Sequence, residues 1–396
     1  MIYRLYHRAA TLAALLLCGV ALAVGAAEVA GVAGAAPDFG KARKAADGSL
    51  VRVRATLAIG ADLAQAPATF TNTGFLVSPD GYVLTSLLAV AGSSQVRVVL
   101  PDSSVADAHL VAVDQAAGLA LLKCDLTDAT PMQFAVAAPV VGQWVAVSYA
   151  VPDEADAPHA PALELARVAA LEGAVRLNGY RWSGLICAPA HVGSGSAAAP
   201  LLDAEGRVVG VLLAARCDRP FTSFKQACEV YGLPAGHVQR ILEKMRQGES
   251  RRLGWLGVAV AQESGDREGA RVAAVLEASP AHVAGIRPGD VLLEINGTPI
   301  EQPVAVAEMV AEAGPQSGMR IKLLRGNGQI IQIAADLQPR PLAICTAPLR
   351  PGAEPPLSLP EVVEQNRQLR ARIAELEAAR LQLEQRVRQL EAAQGQ

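Results

Sequence analysis

At 396 residues the chain is longer than one hydrophobic core normally serves, so two or three compact units are expected. Charged residues make up 18%, the net charge is -3 and no basic run stands out before the C-terminal segment. That balance argues against nucleic acid as a partner.

The N-terminus carries Arg4 and Arg8, then an apolar run from Ala9 to Val24, then Gly25-Ala26-Ala27 before Glu28. A short basic region, an apolar core and small residues predict a secretory signal peptide over 1–27, and hence export. The apolar run is also barely long enough to span a bilayer, so a membrane tether follows only if the segment stays uncleaved. Cys18 follows Leu17, a poor fit to lipoprotein processing. Residues 28–48 are rich in alanine and glycine and read as a flexible lead.

From about residue 49 to 230, short runs of valine, leucine and alanine alternate with turn signals: 51–57, 74–78, 96–100, 119–124, 145–150, 163–171 and 208–213. Many short strands at this spacing predict an all-β sandwich or barrel. The run Thr73-Gly74-Phe75 through Val90 reads as a hairpin about a Pro79-Asp80-Gly81 turn. Val238, Ile241, Leu242 and Met245 recur at helical spacing and predict a helix over 237–246 that closes a unit spanning 49–250. A second unit is expected over 254–338, with a helix from Val304 to Glu312. Seven prolines between Pro339 and Pro360 then predict an extended, semi-rigid linker.

Ser358-Leu359-Pro360-Glu361 reads as a capping box that starts a helix over 361–393. Along it Leu369, Ile373, Leu376, Leu383, Val387 and Leu390 fall on one seam, among Arg, Glu and Gln, which predicts a coiled coil and a homo-oligomer. Arg372 facing the partner's following Glu377, and Arg386 facing Glu391, suit a parallel arrangement. Asn366 and Arg380 on the seam favour two strands. The Arg372-Ile373-x-x-Leu376-Glu377 and Arg386-Val387-x-x-Leu390-Glu391 runs resemble those of short trimeric coiled coils.

Five cysteines lie outside the signal: Cys124, Cys187, Cys217, Cys228 and Cys345. In an oxidising compartment Cys217 and Cys228 are the nearest candidates for a bridge, and burial as small hydrophobes is the other reading. His109, His159, His191, His237 and His282 are scattered singly, without metal-ligand spacing, so neither a metal nor a cofactor is expected. His191 is the nearest of them in sequence to the third of the stretches discussed next.

Three stretches resemble the HtrA family of bacterial serine proteases. The first is Ser78-Pro79-Asp80-Gly81-Tyr82 followed by Thr85-Ser86-Leu87-Leu88-Ala89-Val90, where the family's general-base histidine falls on Leu88. The second is Gly118-Leu119-Ala120-Leu121-Leu122-Lys123, where its orienting aspartate falls on Gly118. The third is Gly195-Ser196-Ala197-Ala198-Ala199-Pro200-Leu201, where its nucleophilic serine falls on Ala197. Leucine and alanine supply neither the attacking hydroxyl nor the imidazole that acyl transfer needs. Loss of the serine or the histidine alone costs a subtilisin-type enzyme on the order of 10^6 in turnover. A one-residue slip that made Ser196 the nucleophile would leave Pro200 one place late and supply no partner base.

The resemblance sharpens the fold to two packed six-stranded barrels of the chymotrypsin type, mainly β, and implies trimers and a periplasmic or envelope location. Trp255-Leu256-Gly257-Val258 and Ala284-Gly285-Ile286-Arg287-Pro288-Gly289-Asp290, with Asn296-Gly297, resemble the PDZ domain that follows in HtrA proteins. That implies a groove in which Trp255, Leu256, Gly257 and Val258 hold a peptide's terminal carboxylate, with Met309 lining the side-chain pocket. The sequence therefore points to a catalytically inactive relative that binds peptide C-termini or unfolded segments, with no catalytic residues of its own. An active endopeptidase and a purely structural oligomer are the alternatives.

Overall fold

The computed structural model describes residues 36–57, 68–151, 161–193, 195–217, 225–261, 269–326 and 328–342. The signal segment, Cys345 and the coiled-coil seam from Leu369 to Leu390 lie outside these residues.

The chain first forms a helix, α1 (Gly40–Ser49), and then a closed barrel of β1 (Leu50–Leu57), β2 (Ala68–Leu76), β3 (Tyr82–Ser86), β4 (Ser93–Val99), β5 (Val105–Asp114) and β6 (Leu119–Cys124). Spatial order is β1-β2-β3-β6-β5-β4, and β1 closes the barrel by pairing with β4. In β6, Leu119 and Leu121 face one core while Ala120 and Leu122 face another, as the two-residue period of a strand dictates. Both faces are buried, so the strand reads as an unbroken apolar run.

The second half is a seven-stranded sheet of β7 (Trp144–Tyr149), β8 (Ala162–Arg167), β9 (Ala170–Leu177), β10 (Tyr180–Val192), β11 (Pro200–Leu202), β12 (Val208–Cys217) and β13 (Gln226–Pro234), ordered β8-β7-β11-β12-β13-β10-β9. It stands where a second six-stranded barrel was expected. The run 163–171, expected as one strand, is broken because Val168 N bonds Gln143 O and Ala169 N turns to Cys187 O. The core between the two halves joins Leu50, Leu84 and Leu121 of the barrel to Leu185, Leu202 and Leu233 of the sheet. Each such leucine contributes about 1.5–3 kcal/mol of burial. A second helix, α2 (Leu87–Val90), takes the last four residues of the expected hairpin, because Ser86 Oγ accepts from Leu88 N and caps it. The third, α3 (Ala235–Arg246), packs Val238, Leu242 and Met245 into the same core.

Residues 40–48, expected as part of a flexible lead, are helical instead. Ala42 and Ala46, four apart, are fully buried together with Phe39, so tertiary packing fixes a segment whose composition alone reads as loose.

The last unit contains β14 (Gly254–Trp255), β15 (Val258–Val260), β16 (Ala270–Val275), a short helix α4 (Pro280–Val283), β17 (Val291–Ile295), β18 (Thr298–Pro299), α5 (Pro303–Ala313), β19 (Gly318–Leu324), β20 (Ile330–Asp336) and β21 (Gln338–Pro339). Leu256, Ile286, Leu292, Val306 and Leu323 form its core. The expected linker starts later than residue 339. Pro339 pairs with Gly254, Arg340 N bonds Leu253 O, and Leu342 packs on the barrel.

Candidate functional sites

Leu88, Gly118 and Ala197 come from α2, the turn before β6 and the turn before β11, and they line one cavity of about 70 Å3. Gly118 O accepts from Leu87 N at 2.7 Å, which ties the first two together. The third is held by Thr73, whose backbone N donates to Gly195 O at 3.1 Å and whose hydroxyl donates to the same oxygen. Thr73 Oγ1 in turn accepts from Ala150 N at 2.9 Å, so one buried threonine locks the turn to both halves.

The chemistry available at this cavity is sparse. Among the described residues its lining has neither an imidazole nor a carboxylate, and the one hydroxyl, Ser86, accepts from Leu88 N. Leu88 is 52% exposed, an apolar side chain at the cavity mouth. Ser196, the alternative nucleophile, is buried and is absent from the lining, and His191 lies on β10 opposite Ala227. Asp114 does not substitute for the orienting acid: its Oδ1 accepts from Ala117 N, and it lines a different cavity. Burial raises its pKa, against the hydrogen bond and the nearby Arg251. Ala198 holds φ at +60, in the left-handed region. The alanine accepts the left-handed backbone at a cost of roughly 1–2 kcal/mol.

A second site lies between the 254–258 loop and α5, a groove of about 310 Å3. Trp255, Leu256, Gly257 and Val258 all line it. Leu256 O and Gly257 O accept from Ala281 N and Leu276 N, while among the described residues the amides of Leu256 and Gly257 meet no acceptor. Two open amides at the end of a groove suit a carboxylate. Gly257 has φ +81, and a β-carbon there would stand 2.2 Å from Ser279 Cβ, so no side chain fits.

Met309 is not among the lining residues. The helix turns Val306, Val310, Ala307 and Ala311 toward the groove, at the four-residue spacing of one face, and Met309 packs instead on the unit's core. The far wall comes from the first unit: Asn178 and Gly179, the tip of the β9–β10 hairpin. Both have positive φ, at 56 and 82, as a two-residue Asn-Gly turn requires. The Asn-Gly pair between two strand-like runs was the sequence signal for this hairpin. Asn178 also lines the Ala197 cavity, and its Nδ2 donates to Gln115 O at 2.8 Å.

The trypsin-like peptidase domain family matches residues 72–211, and the PDZ domain family matches residues 271–325. A protein of Hahella chejuensis named "Probable periplasmic serine endoprotease DegP-like" is 27% identical over 283 residues, covering 68% of this chain and 57% of the relative. One of the same name from Pseudomonas fulva is 26% identical over 287 residues, covering 69% and 57%. The chain thus spans little more than half the length of these curated relatives.

Among solved structures, the HtrA-type protease AlgW with decapeptide superposes with a TM-score of 0.51 at 22% identity, covering 77% of this chain and 99% of that one. The serine endoprotease from Yersinia pestis gives 0.50 at 22%, covering 78% and 100%. Fold and matches together define a trypsin-like peptidase fold followed by a PDZ domain. In sequence and in fold the chain is similar to HtrA-type serine proteases.

Proposed function

We propose that this chain is an HtrA protein that holds peptides without cutting them, with a peptidase-like unit over 49–250 and a PDZ unit over 254–338. It receives apolar C-termini or unfolded segments in the groove beside α5, in the periplasm or cell envelope, as a holdase, adaptor or scaffold. The observation that carries this reading is the cavity around Ala197, whose lining among the described residues has no base beside its one hydroxyl, Ser86. A fold does not bring its chemistry with it. The groove supports the binding half through its two open amides and apolar helix face. Subunits joined by the 361–393 helix, three in number, would add avidity by linking several grooves.

The relatives' names favour a second reading, an active endopeptidase. Incubation with casein and labelling by a serine-directed phosphonate separate the two. The expected result is no new peptide and no label; turnover by the purified chain ends the proposal. For the groove, Gly257→Leu is expected to weaken binding of an apolar C-terminal peptide at least about tenfold, read by fluorescence polarisation. Equal affinity in a variant with unchanged circular dichroism removes the groove from the account.

A further inference from the structure

A cavity of about 690 Å3 shares no residue with either site described above. It opens between α3, the residues just after it and the first residues of β10, and its volume falls within the roughly 300–1,000 Å3 of small-molecule sites. Its walls carry Arg181, Arg240, Lys244 and Arg251, all exposed. Arg240 and Lys244 are one helical turn apart on α3, with His237 a turn before on the same face. Among the described residues none of these four cations has a carboxylate within ion-pair distance.

Two acids line the cavity, Asp114 and Glu249, against the four cations. Asp114 is a weak counter-ion, since it is buried and its Oδ1 is already taken by Ala117 N. Arg251 is held over the Tyr180 ring, 4.5 Å from its centroid, so at least one guanidinium is positioned before any ligand arrives. Cations that outnumber the acids around them repel one another, and burial together with Arg240 already lowers the pKa of His237. A multiply charged anion relieves that repulsion, and guanidinium forks match phosphate oxygens two at a time.

We propose that this cleft is an anion site for ligands carrying more than one phosphate charge, whether free or on a lipid headgroup. The phosphate seats between the α3 face and Arg251, apart from the peptide groove.

The full chain is titrated with inorganic pyrophosphate by calorimetry, with Trp182 emission as a second readout. Saturable binding that weakens with salt is expected, and the surface double variant Arg240→Ala/Lys244→Ala is expected to bind at least about tenfold more weakly. The same variant should bind the C-terminal peptide unchanged, which keeps this result separate from the fate of the groove. Absence of saturable binding at millimolar pyrophosphate, or equal affinity in the double variant, overturns the proposal. Vesicles of phosphatidylcholine with and without phosphatidic acid identify the source: displacement of pyrophosphate by the acidic vesicles alone assigns a lipid headgroup, and its retention assigns free phosphate.

Discussion

Asp290 is almost wholly buried at the start of β17, and its carboxylate accepts from Arg325 Nε at 3.0 Å, Arg325 Nη2 at 2.8 Å and Arg287 N at 3.0 Å. Burial alone would raise its pKa, but the hydrogen bonds and charge of Arg325, with Arg287, outweigh it and hold the pKa below the ordinary 3.8. A folded pKa below the unfolded one stabilises the native state above about pH 4 and ceases to do so as pH falls through the folded value. Acid unfolding of the PDZ unit is therefore expected to steepen below pH 4, and Arg325→Met should flatten that limb. An identical acid limb in the variant would assign the effect elsewhere. Residue identities at the Ala197 cavity were legible without coordinates, because a missing hydroxyl or imidazole is a fact of sequence. The backbone at Ala198 was not, since alanine prefers negative φ and only its surroundings hold it at +60.

Among elements, β12 and β13 end side by side, and Cys217 pairs with Cys228 directly across them in a disulfide. The two readings left open by the sequence are decided by that register: facing positions on neighbouring strands bring the sulfurs together, while Cys124 and Cys187 stay buried as thiols. A bridge closing so short a loop contributes on the order of 2–3 kcal/mol. Cys217→Ser/Cys228→Ser is expected to lose about that much in urea unfolding of the peptidase-like unit, and wild type in reductant should match it. A midpoint unmoved by both would assign the bridge no stabilising role. Helix α5 was legible from its apolar positions, but its orientation was not: Met309 is one residue off the face that lines the groove. Periodicity gives the faces of a helix, and its partners decide which face looks where.

At the scale of the molecule, the β9–β10 hairpin connects everything described. Its tip walls the peptide groove, Asn178 reaches the Ala197 cavity, and Arg176 pairs with Glu308 of α5. Arg340, beyond the PDZ sheet, closes the arrangement: its Nη1 donates to Asn178 O at 3.2 Å and its carbonyl accepts from Gln115 Nε2 at 2.9 Å. A β-carbon on Gly179 would come within 2.8 Å of Ala307 O, so close approach of the two units depends on glycine there. Gly179→Val is expected to raise amide exchange in α5 and the hairpin while leaving the barrel strands protected, read by hydrogen–deuterium exchange. Unchanged exchange in α5 would mean that the hairpin does not hold the units together. By itself the sequence determined the β-rich first unit, the PDZ-like second unit and the absence of nucleophile and base at Ala197 and Leu88, because strand periodicity, turn residues and side-chain chemistry are local properties. Only the tertiary structure decided that one short turn serves both sites and that four scattered cations share a cleft, because those are distances between residues far apart in the chain.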